Sequence, residues 1–153
     1  EMTAYHVRVD ENSGIPLAVV RRQARARDLS KLVPECCGLV WTAIRGLNLR
    51  GGRHVAIYWD DSIRLEVGVE LDRPFSGVGE VVPSATPAGI TASVMHLGPY
   101  PQLAAAHDAI HRWVKTSPYK LSGPKWEIYG HWQEEWNTDP SKIRTDVFYL
   151  LSQ

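Results

Sequence analysis

At 153 residues the chain has room for one domain, or for one domain built from two half-size repeats, and not for a multidomain assembly. Seventeen Lys plus Arg balance seventeen Asp plus Glu, which leaves neither a basic field for nucleic acid nor an acidic tail, so direct nucleic-acid binding is not expected. Hydrophobic residues make 44% and charged residues 22%, the balance of a chain that folds around a core.

The longest mostly apolar stretch, 38–44, is far short of the roughly 18–20 residues that span a bilayer. No membrane association is expected. Glu1 ahead of Met2 reads as an expression scar rather than a targeting signal, and a cytoplasmic location is expected. Cys36 and Cys37 are adjacent inside a helical pattern and have no other cysteine to pair with, so they are expected to be reduced core thiols. Six Trp in so short a chain each need a core, an interface or a ligand to cover them.

Residues 3–9 and 15–23 alternate apolar and polar positions around a break at Glu11, Asn12, Ser13 and Gly14, which predicts a hairpin. Over 28–47, Leu32, Cys36, Leu39, Val40, Ala43 and Leu47 recur at helical spacing, with Pro34 placed in a first turn. Gly51 and Gly52 break the chain before a second predicted hairpin, 54–59 and 63–71, turned at Asp60, Asp61 and Ser62. Six Pro and Gly punctuate 73–89, which has space for one short strand near Val81. A strand over 90–97 leads through Gly98 and Pro99 to a second helix over 101–116, with Leu103, Ala106, Ile110 and Trp113 or Val114 as its stripe. Strands over 125–132 and 144–151, separated by a turn at 137–141, complete the order.

Gly52, Ile57 and Tyr58 match Gly123, Ile128 and Tyr129 at a constant offset of 71. One domain over 1–153 made of duplicated strand-helix-strand-strand halves, about 3–72 and 90–153 joined by 73–89, is therefore expected. One apolar stripe per helix gives an α+β fold: a mainly antiparallel sheet with both helices on one face, whose other face must be covered by something. Leu39, Trp41, Ala43, Leu103, Ile110 and Trp113 are expected on the buried faces or margins of those helices.

The halves differ where Val55, Ala56, Ile57 and Tyr58 stand against Trp126, Glu127, Ile128 and Tyr129. Alternation puts Glu127 with Tyr129, and Ala56 with Tyr58, on one face. The apolar set, Val55 with Ile57 and Trp126 with Ile128, is expected to face the helices, so Glu127 is expected mid-strand on the open face. That is a costly place for a carboxylate without a partner, and its pKa is expected to be raised. A strand Glu paired with a neighbouring Lys or Arg is the plainer alternative.

Gly98-Pro99-Tyr100 followed by an Ala-rich helix ending at Trp113, then the run from Gly123 through Pro124, Lys125, Trp126, Glu127 and Ile128 to Tyr129, and finally a strand into Phe148, Tyr149 and Leu150, form a specific combination. Over essentially its whole length the chain resembles the GyrI-like small-molecule-binding domains, which also serve as effector-binding domains of AraC-type and MerR-type multidrug regulators. The resemblance implies two strand-helix-strand-strand modules, with the two helices on one face of the sheet and a concave ligand groove on the other, an aromatic groove in which Glu127 meets cationic or polar ligands. Tyr58 and Tyr129 are placed on the two walls of that groove, and Trp132, Trp136 and Tyr149 join them as candidate lining residues. No residues remain for a helix-turn-helix before Thr3, so a stand-alone member is expected.

Three functions follow. A binding module would take small hydrophobic, often cationic or aromatic, compounds for sequestration or sensing. A hydrolase opening cyclopropane-bearing DNA-alkylating compounds would use Glu127 as general base and Tyr58 or Tyr129 as proton donor. A protein partner docking in the groove or on a sheet edge is a third option, to which the near-zero charge lends no support. His107 and His111 are four apart on one helix, a spacing that can put two imidazoles on one metal, but nothing else in the sequence is tied to them. The cysteines lack a visible base, and the glycine pairs lack the Lys of a phosphate loop. No metal and no cofactor are expected.

Overall fold

The structure, a computed structural model, describes residues 5–59 and 64–153. In chain order the elements are β1 (Arg8–Asn12), β2 (Pro16–Gln23), α1 (Leu29–Ile44), β3 (Gly51–Tyr58), β4 (Arg64–Leu71), β5 (Val81–Ala85), β6 (Gly89–Leu97), α2 (Leu103–Lys115), β7 (Lys120–Tyr129) and β8 (Arg144–Ser152). All eight strands join one antiparallel sheet in the order β1-β6-β8-β7-β3-β4-β2-β5. Read outward from the β7/β3 junction, the order is the same in both directions: second, third and first strand of a half, then an edge strand.

Those edge strands change partners between halves. β1, which precedes β2 in the chain, pairs with β6, and β5, which precedes β6, pairs with β2. The hairpin read from 3–9 and 15–23 therefore does not form. Both edges of β2 are taken, by β4 and β5, so β1 finds its hydrogen bonds across the molecule. The hairpin of β3 with β4 forms as read, although the turn assigned to Asp60, Asp61 and Ser62 lies outside the described residues.

The helices share one face. A single row of cross-strand neighbours, Val81, Val20, Val67, Ala56, Glu127, Val147 and Val94, runs over seven strands. Directly opposed residues of an antiparallel pair project to the same side. Ala56 and Val67 pack under α1 with Cys36, Cys37, Val40 and Ile44, while Val94 and Val147 pack under α2 with Leu103, Ala106 and Ile110. Of the helix residues read as buried, Leu39 is 37% exposed. Pro34 lies in the second turn of α1, on its exposed side.

The other face carries a second apolar cluster, Leu17, Val19, Val55, Ile57, Trp126 and Ile128, packed with Trp59, Val82, Phe148 and Leu150. Among the described residues no helix covers it, so its burial comes from the curl of the sheet and from the stacked rings of Trp126 and Phe148, 5.4 Å apart. Gly68 in β4 permits one tight step of that curl, because a Cβ there would run into the Ala18 carbonyl oxygen of β2.

The strand faces are thus the reverse of the sequence expectation: Val55, Ile57, Trp126 and Ile128 point away from the helices, and Glu127, Tyr58 and Tyr129 point toward them. The expectation assumed that only one face is buried. Here both are, and apolar content cannot tell them apart.

Candidate functional site

Three adjacent rows of the helix-bearing face meet at the β3–β7–β8 seam. The middle row is apolar except for Glu127. Beside it run Leu65, Tyr58, Lys125, Tyr149 and Ala92 on one flank and Val69, His54, Tyr129, Thr145 and His96 on the other. β7 places Lys125, Glu127 and Tyr129 on one side by simple alternation. Its irregularity lies earlier, between Leu121 and Lys125, where β7 carries two more residues than β8 and Gly123 takes φ +117°.

Glu127 is 8% exposed and both its oxygens are occupied. Oε1 accepts the Tyr129 hydroxyl at 2.6 Å, and Oε2 lies 2.7 Å from His107 Nε2, reaching down from α2. A carboxylate only accepts, so Nε2 carries the hydrogen. His107 Nδ1 lies 2.7 Å from the Tyr149 hydroxyl, which in turn is 3.2 Å from Nε2 of the exposed His111. The chain of bonds can run inward from His111 through Tyr149 and His107 to Glu127. With His107 doubly protonated, its outer part runs from Nδ1 through Tyr149 to His111. The two arrangements differ by one proton.

The electrostatics follow from this packing. Burial works to raise the Glu127 carboxyl, but the His107 hydrogen bond and charge, the Tyr129 hydroxyl and nearby Lys125 together outweigh it, and the group titrates below its ordinary value. The expectation of a raised pKa is corrected: it took the carboxylate to be desolvated without a partner. Burial, then the Glu127 charge, pushes Tyr58, Tyr129 and Tyr149 upward, so all three stay protonated donors. His111 is lowered by burial and by the Lys125 charge.

Of the residues singled out in the sequence, Glu127, Tyr58, Tyr129 and Tyr149 come together. Trp132 and Trp136 do not join them. They lie in the segment after β7, with Trp132 52% exposed, its indole donating to Asn137 and its ring 5.3 Å from that of Trp136, which packs beside Gly130. β7 ends at Tyr129, so strand alternation carries no information on either ring.

Four further residues belong to the cluster. His107 falls in the same stripe as Leu103, Ala106 and Ile110, a signal that it faces the sheet. Lys125 shares the parity of Glu127 and Tyr129. His111 and Tyr100, whose ring meets that of Tyr129 edge-on at 5.7 Å, follow from the loop and helix that cover them. Surface concavities of about 680 and 530 Å³ lie elsewhere, and neither is lined by Glu127 or its tyrosines. Side chains close over the carboxylate.

A family model, the GyrI-like small molecule binding domain, matches residues 7–151. Among curated proteins nothing matches the chain. Of solved structures, the EcmrR C-terminal domain is similar with a TM-score of 0.81 at 19% identity, covering 99% of each chain. SAV2435 bound to tetraphenylphosphonium is similar at a TM-score of 0.67 and 8% identity, over 98% of this chain and 94% of that one. A hydrolase from Listeria innocua is similar at 0.63 and 11%, over 95% and 91%. At these identities the likeness is one of fold.

Proposed function

The chain belongs to the GyrI-like small molecule binding domain family, and we propose that it binds small hydrophobic cations at the β3–β7–β8 seam, with Glu127 as the fixed anion and Tyr58, Tyr129 and Tyr149 as aromatic walls. One observation carries this reading: a single ionised carboxylate set in a row of apolar residues and ringed by phenols. In such surroundings a cation and a carboxylate attract more strongly than in water, and the ring faces add cation–π attraction. That SAV2435 was solved with tetraphenylphosphonium lends the ligand class support. The ligand enters by moving the side chains that cover Glu127.

Calorimetric titration with tetraphenylphosphonium and with neutral triphenylphosphine oxide tests it. Glu127→Gln is expected to cost the cation about 1–3 kcal/mol, in the range of charge-assisted contacts, and the neutral compound much less. Equal losses for both would mean that Glu127 shapes the site without reading charge.

Hydrolysis of cyclopropane-bearing alkylating compounds is the second reading, favoured by the Tyr129 hydroxyl held 2.6 Å from Glu127: the carboxylate takes the proton of an attacking water, Tyr129 gives its proton to the atom that receives the electron pair of the breaking ring bond, and Glu127 then returns a proton to Tyr129 across their hydrogen bond. The similar Listeria innocua protein is a hydrolase. Mass spectrometry after incubation with such compounds decides it: a product heavier by one water, absent with Glu127→Gln, is the expected result.

A further inference from the structure

Lys125 holds its ammonium against two aromatic rings of the seam. In the register it stands directly between Tyr58 of β3 and Tyr149 of β8, in the row next to that of Glu127. Its ammonium lies 5.5 Å from the centroid of the Tyr58 ring and 5.9 Å from that of Tyr149, both within the reach of a cation–π contact. The side chain is half-buried, and among the described residues it makes no ion pair within 4.0 Å. A lysine on a sheet face ordinarily turns its ammonium to water. Here the ammonium lies across two aromatic faces beside the only carboxylate of the row, and its charge helps keep that carboxylate ionised.

We propose that Lys125 is a tethered occupant of the cation site: it fills the Tyr58–Tyr149 box when the protein is empty and swings into solvent when a ligand cation takes its place. This rests on the cation-binding reading above. Because one positive charge leaves as another arrives, the exchange conserves the charge next to Glu127. Net affinity then comes from what the ligand has and an ammonium lacks, namely apolar area and weak hydration. The site therefore selects bulky, charge-delocalised cations and rejects small ammonium ions, which gain nothing over Lys125. No salt bridge has to break among the described residues, and the flexible four-carbon stem lets the head leave without disturbing the strand.

The test reads Lys125 directly. In protein whose lysines are reductively ¹³C-methylated, the Lys125 methyl signal is expected at a ring-current-shifted position without ligand and at the position of a solvated lysine once tetraphenylphosphonium is added. Lys125→Met keeps the length of the side chain and removes the charge, and Lys125→Ala also clears the space. Both are expected to tighten tetraphenylphosphonium binding about tenfold and triphenylphosphine oxide by a similar factor, because either ligand has to displace Lys125 from the box. Tetramethylammonium is expected to leave the Lys125 signal in place.

If tetraphenylphosphonium binds and the Lys125 signal stays put, or if neither variant tightens binding, the exchange is overturned while the cation reading stands. If it binds neither the unchanged protein nor the variants, both fall. A Lys125 signal at the solvated position before any ligand is added would overturn the exchange alone.

Discussion

Replacing His107 by Ala separates the forces that hold Glu127 ionised. Burial is the strongest single influence on this carboxyl and raises it; the His107 hydrogen bond and charge come next, ahead of Tyr129 and Lys125. Without His107, burial is opposed by the two weaker contributions only, so the carboxyl is expected to titrate at higher pH. In stability the loss is one charge-assisted hydrogen bond of 2.7 Å, about 1.5–3 kcal/mol. The roughly 3–5 kcal/mol of a fully buried broken pair is not reached, because the His107 side chain is 18% exposed and water can fill part of its place. For a chain of this size each kcal/mol moves the melting temperature by roughly 2–4 °C, so a drop of about 3–12 °C is expected. Carboxyl-detected ¹³C NMR against pH and thermal unfolding measure the two effects, and a double-mutant cycle with Glu127→Gln isolates the pair. An unmoved Glu127 titration, or a His107→Ala cost that is the same in the Glu127→Gln background, would refute the reasoning.

Because the folded-state pKa of Glu127 is lowered, its stabilisation is complete above the unfolded carboxyl value and is lost as pH falls through the folded one. Denaturant unfolding from roughly pH 7 to pH 3 should therefore show a shallower acid decline for Glu127→Gln than for the unchanged protein. Gly68→Ala forces a methyl against the Ala18 carbonyl and should destabilise by at least about 1–3 kcal/mol in the same assay, with native-like stability counting against the close approach. Burial pushes the Cys37 thiol up to about 12 and raises Cys36 as well. A neutral-pH thiol reagent should thus modify neither cysteine until the protein unfolds, and rapid labelling of native protein would show that α1 opens.

Strand and helix positions were legible because each carries its own period: the stripe of α2 and the alternation of β3, β4, β6 and β8 survive in the sequence with little interference. Pairing was less so. Nothing in Arg8–Asn12 says that its hydrogen bonds go to β6 rather than to the strand that follows, since that choice depends on β5 having taken the free edge of β2. The facing of Glu127 was misread for a related reason: Trp126 and Ile128 are as apolar as any helix-covered pair, but their cover is the sheet's own curl. Tyr58, Tyr129 and Glu127 were recoverable together because one strand, and the offset of 71 between halves, ties them. His107 could be seen as a sheet-facing histidine, but its partner lies twenty residues away across a helix-sheet interface, and only packing brings them within 2.7 Å.

The place of the buried charge has a reason in the arrangement of the two halves. Under the offset of 71, Ala56 corresponds to Glu127, and these two residues are direct partners across the β3–β7 junction, where the strand order reverses. Two carboxylates there would face each other at cross-strand distance in a buried row, a like-charge pair that could not both ionise. Two alanines would leave the row without an anion. One of each leaves room beside a single charge, and the covering helices differ to match. Shifting α1 by 70 residues lays buried Cys36 and Val40 on buried Ala106 and Ile110, and brings Cys37 onto His107. Cys37 packs with Ala56 in the core under α1, while His107 bonds Glu127 under α2. A thiol over a methyl needs no polar partner; a carboxylate does, and the imidazole supplies it. The polar residue on the sheet and the polar residue on the helix therefore support each other, and either one alone would lack the partner that Glu127 Oε2 and His107 Nε2 find in one another.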